Sequence, residues 1–505
     1  MVLNLKAVIT TLGALLFFLG IALLMPMGVG LIYGEASWWS FGLAALLSMG
    51  LGVGGWFYGG GWARQHDVGV REGFAIVALA WFVLSLVGGL PFVFGGVLDS
   101  FTDAFFETMS GFTTTGATIL GGGGAPAIED LPYAFLFWRS LAHWLGGMGV
   151  IVLMLAIMPI LGVGGMQLFK AEVPGPSADK LTPRVRDTAK RLWFIYVGFT
   201  LVEVLLLLPA MNIFDAVNHA FATMATGGFS TKNGSVADYD SAYIDWIISL
   251  FMFLAGINFA LHYRLLRGQA ITVFKDTEFR VYTGIVLVAT MLLTLGTWQP
   301  VAALLPQAAP LTDAFEGYPS FMEALRYGVF QALAIITTTG FATADYEIWP
   351  SLALIVIFLL FFVGGMAGST GGGVKVIRHV LVFKNSFKEI KQLIHPQAII
   401  PVRLNNRVIS QDVMRNVLSF IIFYIAAIAF GALVMGLLGF DLLSAIGVAI
   451  SSVGNIGPAF GTFGPTENYA HLPDVGKWVM AMLMMAGRLE IFTVLILFVP
   501  LFWRR

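Results

Sequence analysis

The chain has 505 residues, of which 58% are hydrophobic and 11% charged, and its formal net charge is −1. Soluble domains carry about a quarter of their residues as charges, whereas a lipid environment accommodates the low fraction found here. The near-neutral balance argues against a nucleic-acid partner, and the lack of cysteine excludes disulfides and thiolate metal sites. The composition therefore predicts a polytopic protein surrounded by membrane lipid.

Ten segments are long and apolar enough to cross a bilayer, since a spanning helix needs about 20 mostly apolar residues. They cover about 7–33, 39–60, 72–95, 133–162, 192–211, 242–264, 280–298, 351–381, 416–439 and 477–503. The first apolar run, from Val8 to Ile32, exceeds the roughly 7–15 residues of a signal-peptide core, so we expect a retained helix.

The distribution of Lys and Arg predicts the orientation. An even number of spans puts both termini on one side of the membrane. With the termini in the cytoplasm, 23 of the 28 basic residues fall in cytoplasmic segments, as the positive-inside rule requires. The exceptions are Arg139, Lys232, Arg326, Lys477 and Arg488.

Four connections between spans share one pattern, a short semi-polar helical stretch followed by a turn rich in Thr or Gly. They read DAFFETMSGFTTTGAT (103–118), DAVNHAFATMATGGFST (215–231), YGVFQALAIITTTGFAT (327–343) and SAIGVAISSVGNIGPAF (444–460). Aligned without gaps, they superpose Gly116, Gly228, Gly340 and Gly457. One such turn would be an ordinary extracellular loop, but four aligned copies predict four helix–pore loop–helix repeats. Two extra helices precede the first repeat.

The stretch before each glycine is about 13 residues, or near 20 Å if helical, and is too short to span. Irregular backbone at membrane depth is tolerated only inside protein or beside a watery cavity. Glycine can turn carbonyl oxygens toward a common axis, and carbonyl rings replace the hydration shell of a monovalent cation. The short helices direct negative ends inward, with Asp103 and Asp215 at the positive outer ends of the first two. We therefore predict an all-α protein with a pseudo-fourfold cation pathway.

The hydroxyl groups of the turns leave two alternatives open. Thr113–Thr115, Thr226 and Thr337–Thr339 either add hydroxyl ligands for a cation or cap their turns. The threonine just before each glycine is the favoured ligand.

The segment 364–373 has six glycines in ten residues. Each glycine costs about 1 kcal/mol relative to alanine inside a helix, so the span at 351–381 is predicted to break and form an intramembrane loop below the glycine turns. The alternative is a close-packing glycine face, which needs a spacing of four. Consecutive glycines favour the loop.

Arg488 lies 11 residues into the last predicted span, about 16 Å deep. A charge at this depth usually faces the bundle interior. It either forms a structural salt bridge or faces the pathway, where it opposes cations or anchors the glycine loop, and we favour the pathway. Glu490 is predicted to point to the opposite helix face and to be a poor partner. His143, His219 and Glu203 are predicted to be structural.

On these motifs the chain resembles the Trk/Ktr/HKT superfamily of potassium transporters, and the bacterial Trk-type uptake subunit is the best match. TTTGATI (113–119), ATGGFST (225–231), TTTGFAT (337–343) and GNIGPAF (454–460) look like its filter segments. GGMAGSTGGGVKVIR (364–378) looks like the loop that interrupts its third repeat, and 171–193 looks like its cytoplasmic connection.

The resemblance implies roles for individual residues. It assigns potassium selectivity to Thr114, Thr115, Gly116, Thr226, Gly227, Gly228, Thr338, Thr339, Gly340, Asn455, Ile456 and Gly457. It assigns gating to Gly364, Gly365, Gly368, Ser369, Thr370, Gly371, Gly372, Gly373 and Arg488. Plant relatives that transport sodium have serine at the first filter position, so Gly116 favours potassium.

The resemblance also implies a homodimer in the bacterial inner membrane, regulated by a cytosolic TrkA-like nucleotide-binding ring. We expect the ring to dock on 375–415 and 171–191, and the chain itself to bind potassium but no nucleotide. Coupled symport with protons or sodium is the alternative to a gated channel. An enzyme is disfavoured because HExxH, GxSxG and paired carboxylates within one span are missing.

The expected domain boundaries follow the repeats. Residues 1–70 form the two N-terminal helices, 71–170 the first repeat and 171–275 the second. Residues 276–395 form the third repeat with its gating loop, and 396–505 form the fourth. The stretch 396–410 is predicted to be an ordered turn or hairpin.

Overall fold

The computed structural model describes residues 3–61, 69–122, 124–149, 185–304, 315–405 and 407–503. Its regular elements are helices and one two-stranded hairpin. In the hairpin, Arg403–Leu404 pairs antiparallel with Arg407–Val408. The hairpin predicted within 396–410 is therefore confirmed.

The two N-terminal helices, Leu5–Ile32 and Trp38–Gly59, pack tightly against each other. A Cβ added at Gly13 would lie 2.7 Å from the carbonyl oxygen of Gly52, so no side chain fits there. Such close approach of small residues drives helix association in lipid, where apolar burial supplies little.

The remaining chain repeats a three-helix unit four times, which confirms the predicted fold class. Each unit begins with a leading helix: Val70–Gly88, Val185–Leu207, Thr277–Thr297 and Gln411–Leu437. A short pore helix follows: Phe101–Phe112, Ile213–Ala225, Phe321–Ile336 and Leu442–Gly454. Each unit continues with a trailing helix: Tyr133–Trp144, Ala242–Ala255, Ser351–Leu360 and Asp474–Arg488. The pore helices are the buried centre, and the second, third and fourth leading helices present apolar side chains outward.

Five helices in the described part of the chain are long and apolar enough to cross a membrane, and two bent pairs raise this number to seven. They make the chain a multi-pass membrane protein. The leading helix of the first repeat, for example, continues through Leu90–Phe94 as one apolar stretch from Arg71 to Phe94.

The trailing helices are interrupted, and two predicted spans are wrong as single helices. Ala242–Ala255 bends by 98° into Phe259–Leu266, so 242–264 is not one helix. Asp474–Arg488 bends by 116° into Phe492–Phe498, so 477–503 is not one either. In the first repeat the helix ends at Trp144 and a π turn covers Leu145–Gly149. The rest of the predicted span 133–162 lies outside the described residues.

The predicted break in the span 351–381 is confirmed. Its helix ends at Leu360, and a helix resumes only at Val376, continuing to Ile394. The other two breaks differ from this one in their backbone geometry. Asn258 caps the helix that follows the second-repeat bend, because its Oδ1 accepts from the Ala260 amide at 2.8 Å. In the fourth repeat, Glu490 and Ile491 take positive φ angles of 64° and 52°.

Candidate functional site

The four pore helices lead into turns with the same backbone path, called here the glycine turns: 113–116, 225–228, 337–340 and 454–457. The second residue of each turn has a left-handed φ near 55°: Thr114, Thr226, Thr338 and Asn455. The last residue is a glycine with φ of 82°, 80°, 73° and 101° in chain order. Because left-handed dihedrals cost non-glycine residues about 1 kcal/mol or more, the same strain repeated four times indicates a common geometric requirement.

The glycine turns close into a ring. Each turn glycine lies against the carbonyl oxygen that precedes the glycine of the next repeat. A Cβ built on Gly116, Gly228, Gly340 or Gly457 would meet, respectively, the carbonyl oxygen of Gly227, Thr339, Ile456 or Thr115. The last of these contacts joins the fourth repeat to the first, so the predicted arrangement around one axis is confirmed.

The backbone amides of the turns point back to the pore helices. The Thr115, Gly227 and Ile456 amides donate to carbonyls of their own pore helices at 2.8–3.0 Å. Within the described ranges, no donor reaches the carbonyl oxygens of Thr115, Gly227, Thr339 or Ile456. Since a buried carbonyl normally has a partner, this inner wall presents acceptors suited to a cation.

Several threonine hydroxyls already have protein partners. In the first and third repeats, Thr113 and Thr337 donate to the last turn of the pore helix, at 2.6 and 2.7 Å. Each also bonds at 2.8 Å to the hydroxyl just before the glycine, that of Thr115 or Thr339. In the second repeat the Thr226 hydroxyl donates to Ala225 at 2.5 Å. Capping is therefore what the structure shows for Thr113 and Thr337.

Asn455 differs from its counterparts by reaching across the ring. Its amide Nδ2 donates to the Thr115 hydroxyl at 3.0 Å and to the Met484 carbonyl at 2.8 Å. The fourth repeat is thus tied by one side chain to the first turn and to its own trailing helix. The sequence predicted Asn455 as a filter residue but did not predict its hydrogen-bond partners.

A buried ion pair supports the ring between the first two repeats. Arg139 Nε donates to Glu107 at 2.8 Å, and the side chains are 2% and 0% exposed. Arg139 also donates to the Ser230 carbonyl, beyond the second glycine turn, at 3.1 Å. Breaking such a pair leaves an uncompensated buried charge, so it fixes the spacing of the two turns. Sequence analysis missed it because the partners lie 32 residues apart.

His143 has a structural position, as expected. Its Nδ1 lies 2.8 Å from the Gly111 carbonyl, and its Nε2 accepts from the Phe229 amide at 3.3 Å. A Cβ on Gly227 would meet the imidazole ring. The ring therefore fills the space between the first pore helix and the second glycine turn. His219 likewise bridges Asp215 and Ser230.

The glycine-rich segment 364–373 lies directly against the turns of the third and fourth repeats. The Gly372 amide donates to the Thr338 hydroxyl at 2.6 Å. A Cβ on Gly371 would lie 2.9 Å from the Thr337 carbonyl, and one on Gly372 would meet the Gly454 carbonyl. The segment thus occupies the layer below the ring, as predicted, and side chains would not fit there.

The rest of this loop is held by surrounding backbone. The Gly364 amide donates to Val374 at 2.8 Å, and the Gly365 carbonyl accepts from Val376 at 3.2 Å. Gly368 and Thr370 contact the second-repeat bend. Ser369 and Gly373 contact other residues of the loop itself. Lys375 bonds to the Gly371 carbonyl. The loop is therefore a defined structure with one discrete arrangement.

Arg488 joins the loop to the first repeat. Its guanidinium donates to the Thr370 carbonyl at 2.7 Å and to the Gly146 carbonyl at 2.9 Å. The predicted contact with the glycine loop is present, but Arg488 is the last residue of its helix and not the midpoint of a continuous span. Glu490 therefore does not occupy the opposite face of that helix, and it pairs instead with Arg378.

Glu278 supports the loop from below, and sequence analysis did not single it out. Its Oε1 accepts from the Ala367 amide at 2.7 Å and from the Ile377 amide at 3.1 Å. One carboxylate at the start of the third leading helix thus joins the middle of the glycine loop to the helix that follows it. A buried acid at the beginning of a span was the available signal.

Comparisons with known proteins agree with this geometry. Residues 56–504 match the TrkH family model, described as a cation transport protein. The chain is 39% identical to the Trk system potassium uptake protein TrkH of Salmonella typhimurium, with 99% of both chains covered. It is 34% identical to the Trk system potassium uptake protein TrkG of Escherichia coli, with 97% of both covered.

Among solved structures, the potassium transporter TrkH from Vibrio parahaemolyticus matches with a TM-score of 0.84 at 34% identity. The match covers 99% of this chain and 100% of that one. The fold and the ring thus define a membrane cation-transport protein built from four pore-loop repeats. The chain belongs to the TrkH family.

Proposed function

We propose that this chain mediates potassium uptake across the bacterial inner membrane, with potassium bound at the ring of glycine turns. The observation that carries the proposal is the closed ring, in which each of the four turn glycines lies against a carbonyl oxygen of the next repeat. In the described ranges these carbonyl oxygens accept no hydrogen bond from the protein. Carbonyl rings of this kind replace water around a monovalent cation. The potassium uptake named for the relatives supports the same ion.

The pore helices favour a cation at this point. Acidic residues occupy the first turns of three pore helices, as Asp103, Asp215 and Glu323, and Asp441 caps the fourth. Their charges complement the positive outer ends of the helix dipoles. The negative inner ends then face the ring, which lowers the free energy of a cation there.

The 364–373 loop and Arg488 are proposed as the gate. The loop occupies the layer under two glycine turns, and Arg488 adds a positive charge at the same level. Both features oppose a cation that leaves the ring. Opening then requires that the loop move while the ring stays intact.

Two transport mechanisms remain, a gated channel and a symporter coupled to protons or sodium. The channel is favoured because the groups that surround the ring are backbone carbonyls and hydroxyls, whereas coupling needs an ionisable relay or a second ion site. Reversal potentials recorded from purified protein in bilayers decide between them. A channel follows the potassium gradient alone, whereas a symporter shifts with pH or sodium.

A homodimer, cytoplasmic termini and control by a cytosolic TrkA-like ring are further parts of the proposal, as are the repeat boundaries given above. The helix Val376–Ile394 continues from the loop and is rich in basic residues, so a partner that moves it would act on the gate. Charge reversal at Lys384, Lys388 and Lys391 should weaken partner binding without changing partner-free flux. Of the second expected docking segment, 171–184 lies outside the described residues.

Substitution of Gly116 by serine tests the selectivity assignment. The new side chain would press on the Gly227 carbonyl and tilt it, so sodium permeation should rise relative to potassium. Gly34→Ser is the control, because Gly34 also has a positive φ but no neighbour within 4 Å. Unchanged discrimination in folded Gly116→Ser protein would contradict the assignment.

A further inference from the structure

A basic cleft of about 520 Å³ lies where the helix that follows the glycine loop meets the start of the third leading helix. It is an open cleft, bordered by the start of the helix Thr277–Thr297, the short helix Ala270–Phe274, the helix Val376–Ile394 and the hairpin. Five of its lining residues are basic: Arg264, Lys275, Arg280, Lys384 and Arg403. Neither the glycine turns nor the 364–373 loop contributes to this cleft.

The single acidic residue of the lining, Asp276, offsets only one of the five positive charges, and its carboxylate is held by neutral donors. Asp276 Oδ1 caps the helix by accepting from the Phe279 amide at 3.0 Å. Asp276 Oδ2 accepts from Asn405 at 2.6 Å, and Asn405 Oδ1 accepts from the Thr277 amide at 2.9 Å. These bonds fix the hairpin to the helix, so the cleft has defined walls.

The basic walls are also positioned by the hairpin. Lys384 Nζ donates to the Arg403 carbonyl at 2.8 Å, which links the two sides of the cleft. In the described part of the chain no carboxylate lies within ion-pair distance of Lys275 or Arg280. The cleft therefore concentrates positive charge and suits a compact anion such as a phosphate group.

Apolar side chains beside the cleft place it at the membrane surface. Leu266, Ile271 and Phe274 are 73%, 71% and 63% exposed. They lie on short helices between the end of the second repeat and the first residues of the third leading helix. Exposed apolar groups next to basic ones are typical of segments that rest in the headgroup region.

We propose that this cleft binds the phosphate of an anionic phospholipid, with the acyl chains along Ile271 and Phe274. Basic pockets between helices at this level hold acidic lipid headgroups. The apolar border favours a lipid over a soluble anion, which would gain nothing from it. A bound lipid would connect the helix that follows the glycine loop to the third leading helix. The inference stands independently of the proposed ion and gate.

Native mass spectrometry of the full-length protein tests the cleft, with phosphatidylglycerol and phosphatidylcholine as the probes. The wild type should retain phosphatidylglycerol in preference to phosphatidylcholine. The double substitution Lys275→Gln and Arg280→Gln should weaken phosphatidylglycerol binding about 20-fold, since each basic residue near an anionic surface contributes several-fold. Lys388→Gln with Lys391→Gln is the matched control, because both lysines lie outside the lining, and it should leave binding unchanged.

Equal retention of the two lipids by the wild type would overturn the proposal, and this comparison needs no variant. So would complete displacement of phosphatidylglycerol by an equal concentration of inorganic phosphate, which would identify a free-anion site. Should the double variant fold poorly, Lys275→Arg with Arg280→Lys keeps the charge and is expected to keep the lipid preference. Loss of preference in that folded variant would also contradict a charge-based site.

Discussion

The ring of glycine turns and the layer directly below it differ in how the four repeats contribute to them. In the ring, all four repeats supply the same turn with the same left-handed positions. In the layer below, the third repeat supplies a long loop, the fourth supplies Arg488 and the first supplies an acceptor carbonyl. Two layers in direct contact therefore differ in whether the repeats contribute equally.

This difference indicates what each region requires. Under the proposed function the ring coordinates a dehydrated cation, which needs acceptors on all sides, so every repeat must supply the same turn. Obstructing a pathway needs one obstacle, so one repeat suffices and the others are free to differ. The expected consequence is that ring variants lower both potassium flux and selectivity, whereas variants in the layer below change the amount of flux at unchanged selectivity.

The largest effect is expected from Gly228→Ala in the ring. A Cβ there would meet the Thr339 carbonyl, and because each turn touches the next, one displaced carbonyl should disturb its neighbours. We expect potassium flux to fall about tenfold or more, measured in proteoliposomes. Gly439→Ala is the control, since Gly439 has a φ of 92° but no neighbour within 4 Å. Equal losses in both variants would mean that backbone strain alone is responsible.

Arg488→Gln should raise flux, whereas Gly228→Ala should lower it. The substitution removes the charge and weakens the bonds to Thr370 and Gly146, so the loop should leave its position more often. Flux without any partner protein is expected to rise about fivefold, the lower end of typical coupling between sites, at unchanged potassium-to-sodium ratio. Arg415→Gln, an exposed arginine paired with Asp412, should change neither. A change in the ion ratio would show that the two regions are not separable.

Asn455→Ala examines the place where the fourth repeat departs from the common turn. Two hydrogen bonds and the left-handed preference of asparagine are lost, which should lower stability by about 2–3 kcal/mol and also reduce selectivity. Asn405→Ala is the matched control, because Asn405 also has a positive φ and its side-chain amide donates a hydrogen bond to Asp276, outside the ring. Thermal unfolding and selectivity together separate the roles, since the control should affect stability alone.

The smallest expected effect is on the pH dependence of stability, and it concerns Glu347, outside the ring. Burial raises its pKa to about 7 from 4.5, and nearby Asp345, Glu467 and Asp441 add to this. A raised carboxyl pKa favours folding of the protonated form, so that stabilisation is lost as pH rises from about 5 through 7. Glu347→Gln should flatten the change in unfolding temperature between pH 5 and 8. An identical pH profile in the variant would exclude Glu347 as the source.

The ring could be predicted from sequence because its requirement is local. Gly116, Gly228, Gly340 and Gly457 lie at fixed positions after their pore helices, and the same strained backbone needs the same residue types. The break in the third trailing helix was predictable for a similar reason, since consecutive glycines disfavour a helix.

The other breaks could not be predicted because their causes are tertiary. Glu490 and Ile491 adopt left-handed dihedrals without a glycine, and the partner of Glu490 is Arg378, 112 residues away. Gly256 and Asn258 form the second-repeat bend within an apolar stretch that reads as one span. The Gly256 carbonyl accepts from Met366 at 2.9 Å, so that bend is stabilised by the glycine loop of a different repeat.

The contact between Asn455 and Thr115 joins residues 340 positions apart in the chain. A ribosome adds about 5–20 residues per second, so the first turn waits roughly 20–70 s for the last one. Until the fourth repeat is inserted, three turns stand in the membrane with one side of the ring missing. A nascent chain therefore has no closed ring, and under the proposed function a truncated translation product that lacks residue 455 should be unable to discriminate between ions.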